Sequence, residues 1–278
     1  MAKGKVTVST LAKRWAANEK IVMVTAYDSV DARLVTQAGI DVILVGDSVA
    51  MARLGYNSTI PVDMEDMIHH TKAVRRAAPD AFVVFDMPFM SYQTDEATAL
   101  ANAGRAIKET GADAVKLEGG AYYAPLIEKM VRAGIPVVGH IGLLPQRVQA
   151  LGGYKVTGKN DDSERELLED AQKIANAGAC AVVLECVTSE VAQKITQSVA
   201  IPTIGIGSGT GCSGQVQVIT DLLGLGGDFI PKHAKRYVDV ASIITQALKT
   251  FASEVKEGTF PTEANTFHKW KINNVFGR

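Results

Sequence analysis

The chain has 278 residues, of which 47% are hydrophobic and 21% are charged, as in an ordinary globular protein. Its formal net charge of −1 argues against a basic surface for nucleic acid, and the one basic cluster, at 232–236, is interpreted as a solvated helix start. The first residues lack the apolar core of a signal peptide and no segment is apolar enough to span a membrane, so we expect a cytoplasmic protein.

Short apolar runs alternate with amphipathic segments from one end of the chain to the other. The runs predict strands near 21–26, 42–46, 81–85, 113–117, 136–140, 180–185, 201–206 and 227–230. Their continuous apolar character indicates burial on both faces, which is typical of a parallel sheet. Between them, helices are predicted after Asp63 and after a capping box formed by Ser163 and Glu166.

This alternation predicts a (β/α)8 TIM barrel in which each strand is followed by a helix. We expect residues 1–278 to form one domain, the barrel with an N-terminal helical extension and a C-terminal helix or tail, because no Ser/Pro-rich linker divides the chain. An open, doubly wound parallel sheet is the alternative. The connections at 47–62 and 141–162 are long for βα loops, and we expect them to cover a site at the C-terminal face of the barrel.

Charged side chains stand at or just beyond the ends of the predicted strands. They are Asp47, Asp86, Lys116, Glu118, His140 and Glu185. Steps of two along a strand place Asp47 in phase with Val45, and the other residues follow the same rule, so we expect all of them to converge on the mouth of the barrel. Any one of the acids is also explained as a helix cap. Several acids in the same place are better explained by a shared site.

Carboxylates packed together repel one another unless a cation lies among them. Oxygen ligands without a Cys or His pair at metal spacing favour a hard ion such as Mg²⁺. An ion held by two carboxylates keeps open positions for a 2-oxo acid and would polarise its oxo group. Lys116 would pair with the substrate carboxylate, and a further acid would remove the adjacent C–H proton. The residues therefore predict enolate formation, followed by making or breaking of a carbon–carbon bond.

At these residues the sequence resembles the ketopantoate hydroxymethyltransferase family, from about residue 7 to about residue 268. The motifs that carry the resemblance include TAYD (25–28), VGDSVAM (45–51), FDMPFMSY (85–92), VKLEGG (115–120), GHIGLLPQ (139–146), VLEC (183–186) and IPTIGIGSG (201–209). Many motifs in one order are far more specific than any short pattern taken alone.

The resemblance implies Mg²⁺-dependent transfer of a hydroxymethyl group from 5,10-methylenetetrahydrofolate to 3-methyl-2-oxobutanoate. The product is 2-dehydropantoate (ketopantoate), in the first step of pantothenate biosynthesis. The resemblance also implies a homodecamer and the following roles: Asp47 and Asp86 ligate the metal and contact the substrate, Glu118 holds the metal through water, Ser48 and Lys116 bind the substrate carboxylate, His140 lines the site and Glu185 is the base at C3.

Some positions depart from the family pattern, and other interpretations remain open. The departures are Ala50, Ala52, Asn57, Ser213 and Asn265. We expect them to change contacts within the loops and the affinity for folate. Residues 209–214, GTGCSG, match a dinucleotide-binding pattern or a phosphate-binding loop. A C–C lyase or mutase of the phosphoenolpyruvate mutase and isocitrate lyase kind is the rival enzyme, although its Lys-Lys-Cys-Gly-His loop is missing from the sequence. The other alternative is a barrel protein without catalytic activity that serves in assembly or regulation.

Overall fold

A computed structural model describes residues 5–227 and 230–269, and the strands within them form one closed parallel barrel. The strands are β1 (Ile21–Thr25), β2 (Val42–Val45), β3 (Phe82–Asp86), β4 (Ala114–Glu118), β5 (Val137–Gly142), β6 (Ala181–Glu185), β7 (Thr203–Ile206) and β8 (Gly214–Gln217). Each strand pairs with the next, and β8 returns to β1 with Gly214 opposite Ile21. The predicted TIM barrel is confirmed, and the open sheet is excluded.

Helices surround the barrel and cover its lower end. They are α1 (Val8–Ala16), α2 (Ser29–Gln37), α3 (Val49–Ala52), α4 (Met64–Ala77), α5 (Glu96–Thr110), α6 (Ala124–Arg132), α7 (Val148–Leu151), α8 (Asp161–Asn176), α9 (Ser189–Ser198), α10 (Ile219–Leu223) and α11 (Val240–Glu257). Asp63 caps α4 as predicted. The capping box at Ser163 is wrong, because α8 begins earlier and Asn160 accepts the Ser163 N–H at 2.9 Å.

The prediction of the eighth strand at 227–230 is also wrong. Residues 228 and 229 lie outside the described part of the chain, and the strand that closes the barrel is β8, well before them. The error arose because every strand was expected to be followed by a helix. Within the described residues, β7 and β8 are joined by the segment 207–213, which consists of turns and bends without a helix.

The segment 207–213 explains the glycine pattern that resembles a nucleotide-binding loop. A Cβ at Gly209 would lie 2.7 Å from the Ser189 side chain, and one at Gly211 would lie 3.0 Å from the Gln193 side chain. Both neighbours belong to α9, so these glycines let the chain run closely along that helix on its way to β8. The pattern therefore reflects packing in a strand-to-strand connection, not a strand–helix phosphate cradle.

Apolar side chains fill the lower part of the barrel. Met23, Phe82 and Val183 belong to the cluster inside the sheet, and Leu11 of α1 joins them from below. A second cluster, which includes Ile43, lies between the sheet and the outer helices. Because the lower end is packed, polar side chains that point inward have space only at the C-terminal ends of the strands.

Helix α11 differs from the other helices in its packing. Along its length there are no buried residues. Its large apolar side chains remain in contact with solvent, namely Ile243, Ile244, Leu248, Phe251 and Val255. None of the helices within 5–227 and 230–269 is both long and apolar enough to cross a membrane.

Candidate active site

A cavity of about 480 Å³ opens among the C-terminal ends of the strands and collects the side chains singled out in the sequence. Its lining includes Asp47, Ser48, Asp86, Lys116, Glu118, His140 and Glu185. The two long connections contribute as well, with Met51 and Thr59 from 47–62 and Pro145 and Tyr154 from 141–162. The predicted convergence at this face is therefore observed, although the role of each residue remains a prediction.

The alternation of side chains explains this convergence for every strand except β2. Asp86 is in phase with Val84, and Glu185 is in phase with Val183, both of which point into the barrel. Asp47 is instead in phase with Val45, which faces the outer helices. The phase argument for Asp47 is therefore wrong, and its carboxylate reaches the cavity because β2 ends at Val45 and the chain then turns.

Gly46 makes this turn possible. A Cβ at that position would lie 2.7 Å from Ser48 Oγ, so a side chain there would displace the Ser48 hydroxyl. With glycine, the backbone N–H of Asp47 donates to Asp86 Oδ2 at 3.2 Å. The carboxylates of β2 and β3 are thereby brought side by side.

Lys116 is the cation at the centre of the carboxylates. Its Nζ lies 2.7 Å from Asp86 Oδ1 and 3.2 Å from His140 Nδ1, and its side chain is almost completely buried. Burial by itself would lower the pKa of Lys116, but the three neighbouring carboxylates raise it above its usual value. The ammonium group thus stays charged, and two of its three donors have partners within the protein.

One lysine does not balance the acids around it. Burial, followed by repulsion from Asp86, raises the pKa of Asp47 to about 7, although Lys116 opposes the change. Burial also raises the pKa of Glu118 well above its usual range. Glu118 Oε1 is buried without a hydrogen-bond partner among the described residues. The cluster therefore lacks positive charge.

A hard divalent cation fits this donor set. Within the described residues, no group of three or more His, Cys, Asp or Glu side chains is placed to hold a metal ion. Mg²⁺ does not need such a cage, because it is commonly held by one or two carboxylates and completes its shell with water and substrate. Asp47 and Asp86 would supply these carboxylates, and Glu118 lies close enough to the cluster to act through water.

The hydrogen bond from Lys116 determines which nitrogen of His140 carries the proton. Since an ammonium group only donates, His140 Nδ1 must accept. Burial and the charge of Lys116 lower the pKa of His140, so the ring is neutral and its proton is on Nε2. Nε2 lies 3.2 Å from Glu185 Oε2. The Nε2–H of His140 therefore lies beside the Glu185 carboxylate.

Ser48 lies at the opposite side of the cluster from Glu185. Its Oγ is 2.9 Å from the hydroxyl of Tyr27, which is completely buried. Burial raises the pKa of Tyr27, so the phenol remains protonated and can hold the serine hydroxyl in place. The predicted substrate-binding hydroxyl is thus positioned by a residue of the TAYD motif for which no role was predicted.

Gln146 is the residue of the site that the sequence analysis missed. Its Nε2 donates to Asp47 Oδ2 and to the Met87 carbonyl, each at 2.9 Å, and its backbone N–H donates to Glu118 Oε2 at 3.1 Å. Its Oε1 is 3.0 Å from the Tyr92 hydroxyl. The motif GHIGLLPQ contained this glutamine, but only the fold shows that it connects two acids from different strands.

Gln146→Leu is expected to lower the affinity for Mg²⁺ by about 10- to 100-fold, the usual effect of removing a group that orients metal ligands. The substitution keeps the approximate size and removes the donor that fixes Asp47. Titration calorimetry with Mg²⁺ and the oxo acid measures the change. Gln149→Leu, on the exposed side of α7, is the matched control. An unchanged affinity in Gln146→Leu would show that Asp47 needs no support from Gln146.

The departures from the family pattern lie mostly away from the cavity. Ser213 is at the start of β8, where its carbonyl accepts the Ile21 N–H and its backbone N–H donates to Thr203 Oγ1 at 3.1 Å. That position is at the N-terminal end of the barrel, the end opposite the site. Asn57 and Asn265 are exposed, whereas Ala52 lines the cavity. The expected effect of Ser213 on the site therefore has no structural basis.

Comparisons with known proteins agree with this geometry. A family model described as ketopantoate hydroxymethyltransferase matches residues 5–263. A 3-methyl-2-oxobutanoate hydroxymethyltransferase of Carboxydothermus hydrogenoformans is 55% identical over 95% of both chains. Another, of Thermotoga maritima, is 55% identical over 92% of this chain and 94% of its own.

Solved structures with much lower sequence identity share the fold. A phosphoenolpyruvate phosphomutase of Streptomyces platensis superposes with a TM-score of 0.61 at 16% identity, covering 91% of this chain and 88% of that one. A phosphonopyruvate hydrolase in complex with oxalate and Mg²⁺ gives a TM-score of 0.59 at 12% identity, with coverage of 95% and 92%. At these identities the likeness establishes the architecture alone.

Proposed function

The chain belongs to the ketopantoate hydroxymethyltransferase family and is a transferase that forms ketopantoate from 3-methyl-2-oxobutanoate, and we propose that it uses Mg²⁺ and takes the one-carbon unit from 5,10-methylenetetrahydrofolate. The rival C–C lyase has support only from the shared fold. The sequence identity of 51–55% to named hydroxymethyltransferases favours the transfer reaction.

One observation supports the assignment of the base above all others. The Glu185 side chain is 15% exposed, whereas the side chains of Asp86 and Glu118 are 3% and 2% exposed. Glu185 is thus the acid of the cluster that faces the open cavity most directly. Its Oε2 lies 3.2 Å from His140 Nε2, and within the described residues no ion pair joins it to Lys116, so a bound substrate can reach the carboxylate.

The remaining charged groups bind and orient the oxo acid. Among the described residues, one donor of Lys116 has no partner and would pair with the substrate carboxylate, and the Ser48 hydroxyl would donate to the same group. Asp47 and Asp86 would hold Mg²⁺, which as a Lewis acid polarises the 2-oxo group and stabilises negative charge on it. These contacts would place C3 of the substrate towards Glu185.

The reaction then follows from the positions of these groups. Glu185 takes the C3 proton, and the electron pair of the broken C–H bond forms the new bond from C3 to the one-carbon unit. Both carbon–nitrogen bonds of the methylene group break, and water supplies the hydroxyl group. The proton from C3 and the second proton of water end on the two folate nitrogens, so tetrahydrofolate and ketopantoate leave.

Proton NMR of 3-methyl-2-oxobutanoate in D₂O tests the proposal in two stages. Enzyme with Mg²⁺ is expected to remove the C3 proton signal, and EDTA is expected to stop this exchange. Addition of 5,10-methylenetetrahydrofolate is then expected to give ketopantoate. Exchange without product would rule out this folate as the donor, and the absence of both would overturn the Mg²⁺-dependent enolate mechanism.

We also propose that the enzyme is cytoplasmic and works as a homo-oligomer, the homodecamer that the family resemblance implies. Support comes from α11, whose exposed apolar residues Ile244, Leu248 and Phe251 are typical of a helix that is covered in an assembly. Light scattering at several protein concentrations measures the mass of the assembly. A monomer at all concentrations would contradict the proposal.

A further inference from the structure

The charged site residues occupy only part of the rim of the barrel. The ends of β2 to β6 carry the acids, Lys116 and His140, whereas the cavity lining from the remaining three strands includes Ile206 of β7, Gln217 of β8 and Thr25 of β1. The side chains at these three ends carry no charge. One arc of the cavity therefore has charged side chains at its strand ends, and the other arc has none there.

The oxo acid is too small to fill both arcs. It has a five-carbon skeleton, whereas the cavity volume of about 480 Å³ falls in the range of sites that bury a drug-sized ligand. The charged arc accounts for all of the groups that the oxo acid needs. Space for a larger, flatter molecule remains beside Glu185, along β7, β8 and the segment that follows them.

The polar side chains along this second arc include Gln217, Thr220, Asp221, Lys232 and His233. Asp221 of α10 lines the cavity half-buried, and no described residue donates a hydrogen bond to its carboxylate. His233 lines the cavity as well, and its Nδ1 lies 4.0 Å from the Sγ of Cys186, the residue that follows Glu185. Lys232 stands exposed at the outer edge. An acceptor and a cation thus line the same side of the cavity, with the cation nearer to solvent.

The half-buried Asp221 carboxylate can accept hydrogen bonds from a ligand in the cavity. Its pKa is raised by burial, which His233 only partly offsets. Two adjacent N–H donors on a planar ligand would satisfy both carboxylate oxygens at once, in the same way as a guanidinium group does. The 2-amino group and N3–H of a reduced pterin present two such donors on one edge.

We propose that the wall formed by Asp221, Lys232 and His233 is the subsite for the folate donor. Asp221 accepts from the 2-amino and N3–H edge of the pterin, while Ile206, Val218 and Pro231 contact the ring system. Lys232 pairs with the carboxylates of the glutamate tail at the cavity edge. This inference rests on the proposed folate-dependent function, to which it adds the residues that recognise the donor.

The first test compares two reactions of the same enzyme. The C3 exchange in D₂O needs no folate, whereas the transfer reaction does. We expect Asp221→Asn to lower the ratio of transfer rate to exchange rate about 10- to 100-fold at subsaturating donor, as for the loss of a hydrogen-bonded charge. Asp80→Asn, in an exposed turn at the opposite end of the barrel, should keep the wild-type ratio.

The outcomes separate this subsite from the proposed function. If the wild-type enzyme gives neither exchange nor transfer, the proposed function fails, whatever Asp221 does. If the wild type performs both and Asp221→Asn keeps the wild-type ratio, the folate subsite is overturned. An equal fall in exchange and transfer would also overturn it, because Asp221 would then act on the oxo acid site.

A second test separates the two ends of the donor. Titration calorimetry would compare tetrahydrofolate with 6-methyltetrahydropterin, which lacks the glutamate tail. Asp221→Asn should weaken both ligands, and Lys232→Gln should weaken tetrahydrofolate alone. Lys235→Gln is the control, because that lysine lies over the Tyr237 ring, 4.8 Å from its centre. If Lys232→Gln weakened both ligands equally, or neither, the assignment of the tail would be wrong.

Discussion

Glu185→Gln is expected to lower the rates of C3 exchange and of hydroxymethyl transfer by about 10²- to 10⁴-fold, the usual contribution of a positioned general base. The amide keeps the size of the side chain and can still lie beside His140, but it cannot accept a proton from C3. Both rates should fall by the same factor because both reactions begin with the same step. NMR of the oxo acid in D₂O measures the first rate, and ketopantoate formation measures the second.

Glu190→Gln is the matched control for this substitution. Glu190 lies on the exposed part of α9, five residues further along the same βα unit, and should leave both rates unchanged. Calorimetry of oxo acid binding in the presence of Mg²⁺ checks that Glu185→Gln still forms the site. Near-normal exchange in the variant would show that another group is the base.

Lys116→Met is expected to have the second large effect, on stability as well as on turnover. Removing one member of a buried ion pair typically costs about 3–5 kcal/mol of unfolding free energy, because the other charge remains buried and uncompensated. Here several carboxylates would remain, since Lys116 lies among Asp86, Glu118 and Asp47. Urea denaturation without divalent cation measures the loss, and the rate of transfer should become undetectable.

Two comparisons make this result specific. Lys108→Met, on the exposed side of α5, should change the unfolding free energy by no more than about 0.5 kcal/mol. Mg²⁺ should raise the melting temperature of Lys116→Met at least as much as that of the wild type, because the repelling ammonium group is gone. If the variant lost its response to Mg²⁺, Lys116 would be needed to form the metal site and not only to bind the oxo acid.

The barrel itself was predictable because hydrophobic periodicity is a local property. Strands β1 to β7 were found near their predicted positions, since each is a run of buried residues such as Val42–Val45. Strand β8 was missed because Gly214–Gln217 is short and alternates buried residues with glutamines, which does not resemble a strand buried on both faces. Only the closure of the barrel, through pairing with β1, gives this segment its role.

The candidate site was predictable as a set of residues, but not in its geometry. The acids stood out because a charge at the end of an apolar run is unusual. The support from Gln146 could not be predicted, since that residue lies 99 positions from its partner Asp47. The direction of the Asp47 side chain could not be predicted either, because it depends on a turn at Gly46, and counting residues along the strand does not show that turn. The spacing of charged residues in the sequence thus predicts which side chains lie at the same end of the barrel. Their hydrogen bonds depend on the packing of the folded chain.

The depth of the cavity has a kinetic consequence. Leu11 and its apolar neighbours close the barrel from below, and residues proposed to hold Mg²⁺ and the oxo acid, such as Asp86 and Lys116, are almost completely buried. Asp221 and Lys232 lie nearer to solvent. A folate bound at Asp221 and Lys232 would therefore block access to the buried residues that bind the oxo acid. The oxo acid would then have to bind first, and ketopantoate would have to leave last. In such a compulsory order, a folate analogue inhibits competitively against the donor but uncompetitively against the oxo acid.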